Sequence, residues 1–186
     1  MRISELSPVP PPTSNQARTP GVHLTDLLNA RELAMGEEGF APEPGETTQA
    51  RFALGFAWEL AIERALNELW GEMHSRIIRI GEVERDGVLM TPDAVDVMDG
   101  CLEEWKCSKL SSQRDPGRYR RYITQMMCYC YALGLAEARL RVLHLNGDYR
   151  EERGPLIKSW RFEFEARELE TNWGGLIEFA RKAGIL

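Results

Sequence analysis

Three side chains in the middle of this chain have the types and spacing for phosphodiester chemistry. They are Asp93, in Thr91-Pro92-Asp93-Ala94-Val95-Asp96, and Glu104 and Lys106, in Glu103-Glu104-Trp105-Lys106-Cys107. Extended chain sends successive side chains to opposite faces. Glu104 and Lys106 therefore share one face of a strand, and Glu103, Trp105 and Cys107 share the other. Asp99-Gly100 between the two segments is a hairpin signal, and a hairpin brings Asp93 or Asp96 beside Glu104. The two aspartates point to opposite faces of a regular strand. Two carboxylates and one ammonium at one spot suit hydrolysis of a phosphodiester with a divalent metal. The carboxylates hold Mg²⁺ or Mn²⁺ through oxygen, and the lysine orients water or offsets phosphate charge.

The elements that must position these groups are legible as patterns. The spacing predicts a short helix over 25–35 with Thr25 as cap, and a long helix over 47–70 on the Phe52, Phe56, Leu60 and Leu66 stripe. Strands are expected over 75–84, 88–98 and 101–109, with Asp86-Gly87 as the first hairpin turn. Asp115-Pro116 reads as the cap and first turn of a helix reaching Leu133. Strands over 139–145 and 158–165 follow, and a final helix over 167–183. The order α, β-β-β, α, β, β, α predicts an α/β (α+β) fold, a central mixed sheet flanked by helices. Residues 1–20 are proline-rich and read as a flexible arm; 21–186 read as one domain.

Two helices add candidates. Glu59 and Glu63 lie one turn apart on the long helix. Their repulsion costs about 0.2–0.5 kcal/mol unless a cation relieves it. Gln125 and Tyr129 project together one helix after Lys106, on a stripe with Tyr122 and Arg118. Arg114, Arg118, Arg120 and Arg121 crowd the start of that helix among Tyr119 and Tyr122, a mixture suited to phosphates and stacked bases. On one continuous helix Arg118 and Arg121 face the same side as Tyr122, with Arg120 swung away.

Asp93, Glu104-Trp105-Lys106 and Gln125-Met126-Met127-Cys128-Tyr129 together resemble the PD-(D/E)xK nuclease superfamily. The resemblance is to its lambda exonuclease and RecB-type, phage-type branch, with a restriction-endonuclease-like core. It implies a Mg²⁺-dependent DNA nuclease, and family habit favours an exonuclease acting in phage or mobile-element recombination or repair. By resemblance, Glu59, Asp93, Glu104 and the Trp105 carbonyl would hold Mg²⁺ or Mn²⁺. Lys106 would orient or deprotonate water, and Gln125 would support lysine or water. Arg114, Arg118, Arg121, Tyr122 and Tyr129 would meet DNA. A homo-oligomer and a single-strand-annealing or recombination partner are the associations it brings. A structure-specific or nicking endonuclease on the same core is the alternative activity. A catalytically silent DNA-binding or assembly protein is the alternative of another class.

Composition bounds these readings. A chain of 186 residues with 43% apolar and 28% charged residues is long and mixed enough for one soluble core. A formal net charge of −6 does not mark a nucleic-acid binder, so DNA contact must come from a local basic patch. There is no long apolar run and no basic-then-apolar N-terminus, and the expected compartment is the cytoplasm. Cys101, Cys107, Cys128 and Cys130 form no CxxC pair and read as buried free thiols. RecB-type iron–sulfur enzymes place cysteines ahead of the core and near the C-terminus. This chain does not, so no iron–sulfur cluster is expected. His23, His74 and His144 lack ligand spacing.

Overall fold

A computed structural model of the chain describes residues 18–36, 46–69, 76–149 and 154–186. The expected arm falls almost wholly outside the described residues. The elements run β1 (Val22–His23), α1 (Leu24–Ala34), α2 (Glu46–Leu69), β2 (Ile77–Ile78), β3 (Val83–Arg85), β4 (Val88–Met90), β5 (Ala94–Asp96) and β6 (Cys101–Ser108). After a 3₁₀ turn at Pro116–Arg118 come α3 (Arg120–Leu133), β7 (Glu137–His144), β8 (Leu156–Glu163) and α4 (Ala166–Lys182). Among the described residues, no helix is long and apolar enough to cross a membrane.

The strands form two sheets. A three-stranded sheet has the order β1-β4-β3, and a five-stranded sheet has the order β2-β5-β6-β7-β8. In the larger sheet only the β6–β7 pair is parallel, and α3 supplies the crossover between those strands. One face of it carries Leu102, Ala138, Leu140 and Val142 into the main core, with Leu27 of α1, Met126 of α3 and Trp173 of α4. Alternation along β7 is strict, every second residue being buried. The smaller core packs Trp58, Ile62 and Leu66 of α2 on Ile77, Ala94 and Trp105. The sheet thus lies between helices, as the element order predicted.

Local chemistry sets the boundaries, and it moves several from where the pattern placed them. The Asp86-Gly87 turn is as expected: both residues take positive φ, 52° and 80°, and Arg85 pairs with Val88. The strand expected over 75–84 is instead β2 and β3 in different sheets, separated by a segment in which Gly81 turns at φ 80°. The strand expected over 88–98 is β4 and β5, divided at Pro92, which has no N–H for a ladder. Asp99-Gly100 does not form a two-residue loop; Asp96 pairs with Cys101 across the four residues 97–100. His23, not Thr25, caps α1, its amide donating to Asp26 Oδ2 at 3.1 Å. Asp115 does cap a turn, accepting from the Gly117 amide at 2.7 Å. That turn is 3₁₀, and Tyr119 at ψ 48° interrupts it before α3 begins.

Candidate active site

Asp93 lies just before β5, one residue ahead of the Ala94–Glu103 pair, which brings it beside Glu104 of the neighbouring strand. Its Oδ2 accepts from the Trp105 amide at 2.6 Å. Lys106 Nζ stands 3.9 Å from the same oxygen and forms an ion pair with Glu104. The three residues expected to carry the chemistry therefore meet on one face, and Trp105 points to the other, into the small core.

Glu104 is wholly buried, and its Oε2 has no hydrogen-bond partner among the described residues. Burial first, then the Asp93 carboxylate, push its pKa well above the usual carboxylate range, against the opposing pull of Lys106. Burial works against the ammonium of Lys106, but Glu104 and Asp93 outweigh it and raise its pKa. Lys106 is thus held as a cation.

The α3 residues close the same site. Gln125 Nε2 donates to Tyr129 Oη at 2.6 Å, the i, i+4 pairing that the sequence spacing implied. Tyr129 is buried, and burial followed by the Glu104 charge raises its phenol pKa. Its hydroxyl accepts from Gln125 and keeps its own proton to donate, and the residue lines the cleft described below. Tyr122 stacks on Tyr119 with centroids 5.6 Å apart, and its ring lies 5.7 Å from Lys106 Nζ. It supports the lysine, a role that the residue order alone did not separate from base stacking.

Glu59 approaches from α2. Burial, then Asp93, raise its pKa, so its carboxylate senses the acid cluster. Arg79, a residue passed over in the sequence reading, bridges the α2 acids. Its Nε donates to Glu63 Oε2 at 2.7 Å and its Nη1 to Glu59 Oε2 at 3.3 Å. The Glu59/Glu63 repulsion signalled the need for a cation but not which one. Glu59, Arg79, Thr91, Gln125 and Tyr129 line a cleft of about 910 Å³ that runs past α1 and β4.

Other candidates are held elsewhere. Asp96 is buried on the opposite face, where Arg76 Nε reaches it at 2.7 Å and Arg139 Nη1 at 2.7 Å. Burial disfavours its charge, but these hydrogen bonds outweigh that and hold its pKa at about 2. Glu103, next to Glu104 in sequence, is likewise bound by Arg141 at 2.7 Å. Both acids are structural. Arg121 pairs with Glu32 and donates to Asn29 Oδ1 at 2.8 Å, tying α3 to α1. Arg118 sits in the 3₁₀ turn, exposed and outside the helical register assumed for it. Arg114 lies exposed over the Tyr119 ring at 5.6 Å.

The three carboxylates and the backbone oxygens of β6 are hard donors of the kind Mg²⁺ and Mn²⁺ take. Among the described residues no three acid, histidine or cysteine side chains already stand grouped at metal-binding distances. Glu104 Oε2, buried and unpartnered, is the observation that fits a cation, and Lys106 and Arg79 now neutralise the surrounding acids.

No family model matches the chain, and no curated protein matches it. Solved structures do. The crystal structure of SSO0001 superposes with a TM-score of 0.51 at 15% identity, over 89% of this chain and 79% of that one. The likeness is one of fold. Two others are a phage related exonuclease from Haemophilus somnus 129PT and an alkaline exonuclease from Laribacter hongkongensis. The first has a TM-score of 0.49 at 12% identity, over 85% of this chain and 78% of that one. The second has a TM-score of 0.49 at 16% identity, with the same coverages.

Proposed function

We propose that this protein is a metal-dependent deoxyribonuclease that hydrolyses DNA phosphodiester bonds. One observation carries the reading: Asp93, Glu104 and Lys106, distant in type from any ordinary core, converge with a fully buried carboxylate beside a cleft. Burying an acid at that depth is costly unless cations answer it; Lys106 answers Oε1 and leaves Oε2 without a partner among the described residues.

Asp93, Glu104, the Trp105 carbonyl and Glu59 are the residues that would hold Mg²⁺ or Mn²⁺. When bound, the ion would supply Lewis acidity at a phosphoryl oxygen and neutralise developing charge. The rest falls to the chain. Lys106, kept cationic by two acids, donates hydrogen bonds. It would orient or deprotonate the attacking water and counter phosphate charge. Gln125 and Tyr129 brace the lysine side of the site, and Tyr122 covers it. Arg118 and Arg114 offer exposed charge beside it for the DNA backbone. The family resemblance favours an exonuclease in recombination or repair.

End-labelled linear DNA and closed circular DNA, incubated with Mg²⁺ or with EDTA, test this. Wild-type protein should degrade linear DNA only with Mg²⁺, and Glu104→Gln should not. Metal-independent cleavage, or activity of the variant near wild type, would remove the proposed site. Nicking of circles would move the reading to an endonuclease.

A further inference from the structure

Arg79 follows β2 and enters the cleft from the edge of the larger sheet. It is held firmly at one end and loosely at the other. The Nε contact to Glu63 at 2.7 Å is a short, charge-assisted hydrogen bond. The Nη1 contact to Glu59 at 3.3 Å is at the long end for an N–H donor. The guanidinium lies over the Trp105 ring, 5.6 Å from its centroid, which restrains its plane. Its side chain is 39% exposed and lines the cleft alongside Glu59, Thr91 and Gln125.

A guanidinium has five donors in a rigid fork, matched to carboxylate and phosphate alike. A cation serving only to separate Glu59 from Glu63 would need neither the ring beneath it nor a side turned to the cleft. Arg64 shows the plain case: it pairs with Glu68 at 2.6 Å on the outer surface of the same helix, 82% exposed. Glu59 is also the acid that the proposed reaction needs for metal. Any cation arriving there competes with Arg79 for the Glu59 carboxylate, while the Glu63 anchor stays in place.

Building on the nuclease reading, we infer that Arg79 is a phosphate-binding residue of the cleft. Glu63 and Trp105 fix it, and it exchanges the Glu59 contact for a nucleic-acid phosphate. Arg79 and Glu63 then form a unit: Glu63 positions the arginine, and the arginine touches the substrate.

The test reads binding apart from turnover. Fluorescence anisotropy of labelled duplex DNA is measured across a salt series in EDTA, with cleavage in Mg²⁺ and Tm alongside. Arg79→Ala should weaken binding about tenfold and reduce the salt slope by about 0.9, the loss of one phosphate contact. KM should rise more than kcat falls. Arg79→Lys, which keeps the charge, should restore the slope. Glu63→Gln should raise KM with the slope unchanged, and it serves if Arg79→Ala does not fold. Arg64→Ala should behave as wild type. A lowered Tm with wild-type affinity and slope in Arg79→Ala would reduce Arg79 to an acid-pairing residue, as would wild-type KM in Glu63→Gln. Both failures differ from failure of the nuclease reading, in which the unaltered protein neither binds nor cleaves DNA.

Discussion

Lys106 is the side chain whose surroundings most constrain its role. It touches Glu104, lies 3.9 Å from Asp93 and sits over the face of Tyr122. These neighbours hold it as a fixed cation, so its contribution should appear where phosphate charge develops and not in ground-state affinity. Lys106→Ala should lower kcat on the order of 10²–10³-fold, with the Kd for DNA little changed. Single-turnover cleavage with a parallel binding titration checks this. A rise in Kd with kcat preserved would make the lysine an ordinary phosphate contact. At this scale the sequence was informative about types and faces. The alternation rule put Glu104 with Lys106, and the i, i+4 rule put Gln125 with Tyr129. It could not rank Asp93 against Asp96 by environment, because what separates them is Arg76 and Arg139, 20 and 43 residues away in the chain.

At the scale of elements, the informative difference is the break between the 3₁₀ turn and α3. Reading Asp115 to Leu133 as one helix put Arg118 and Arg121 on one stripe. Tyr119 interrupts that helix, so the two arginines have separate tasks. Arg121 reaches α1, and Arg118 stays in solvent. Arg118→Ala should lower the salt slope of duplex binding by about 0.9. Arg121→Ala should leave the slope intact and cost about 1 kcal/mol of stability, the upper range for a pair that water still reaches. Salt-dependent binding and urea unfolding of both variants decide it; a slope change at Arg121 alone would reverse the assignment. Boundaries were hard to read for a general reason. Strand-forming residues stand on both sides of Pro92 and of Gly81, while the hydrogen-bond ladder does not run across either. A periodic pattern reports which side chains are apolar, and a ladder depends on backbone donors and torsions that the pattern omits.

Across the molecule, charge is distributed by face. Asp93, Glu104 and Lys106 of the proposed site lie on one side of the larger sheet. On the other side Asp96, Asp99 and Glu103 are laced to Arg76, Arg139 and Arg141. That lattice is where low pH should act. Asp96 in the folded protein has a pKa of about 2, below its ordinary 3.8. A depressed carboxylate contributes stability in full above its unfolded pKa, and the contribution disappears as pH falls through its folded value. The window therefore runs from about pH 4 down to about pH 2. Asp96→Asn should flatten the fall of Tm across that window. At neutral pH it should cost on the order of 3 kcal/mol, because two arginines lose a buried partner. Thermal melts at stepped pH check it; an unchanged acid limb would mean other carboxylates govern acid unfolding.

The three residues Thr91, Pro92 and Asp93 also join two pieces of architecture. On one side stands β4 of the smaller sheet, whose Leu89 and Met90, with Thr91 after them, form part of the cleft wall. On the other stands β5 of the larger sheet, beside the strand that carries Glu104 and Lys106. A proline that cannot extend a ladder marks the seam, and Asp93 is the first residue past it. The seam gives the protein a natural line of inheritance. Changes in the smaller sheet can reshape what enters the cleft without disturbing the neighbouring acid and lysine. Lengthening or shortening the seam itself would move Asp93 with it. Drift is open on one side, and on those three positions the backbone must keep its length.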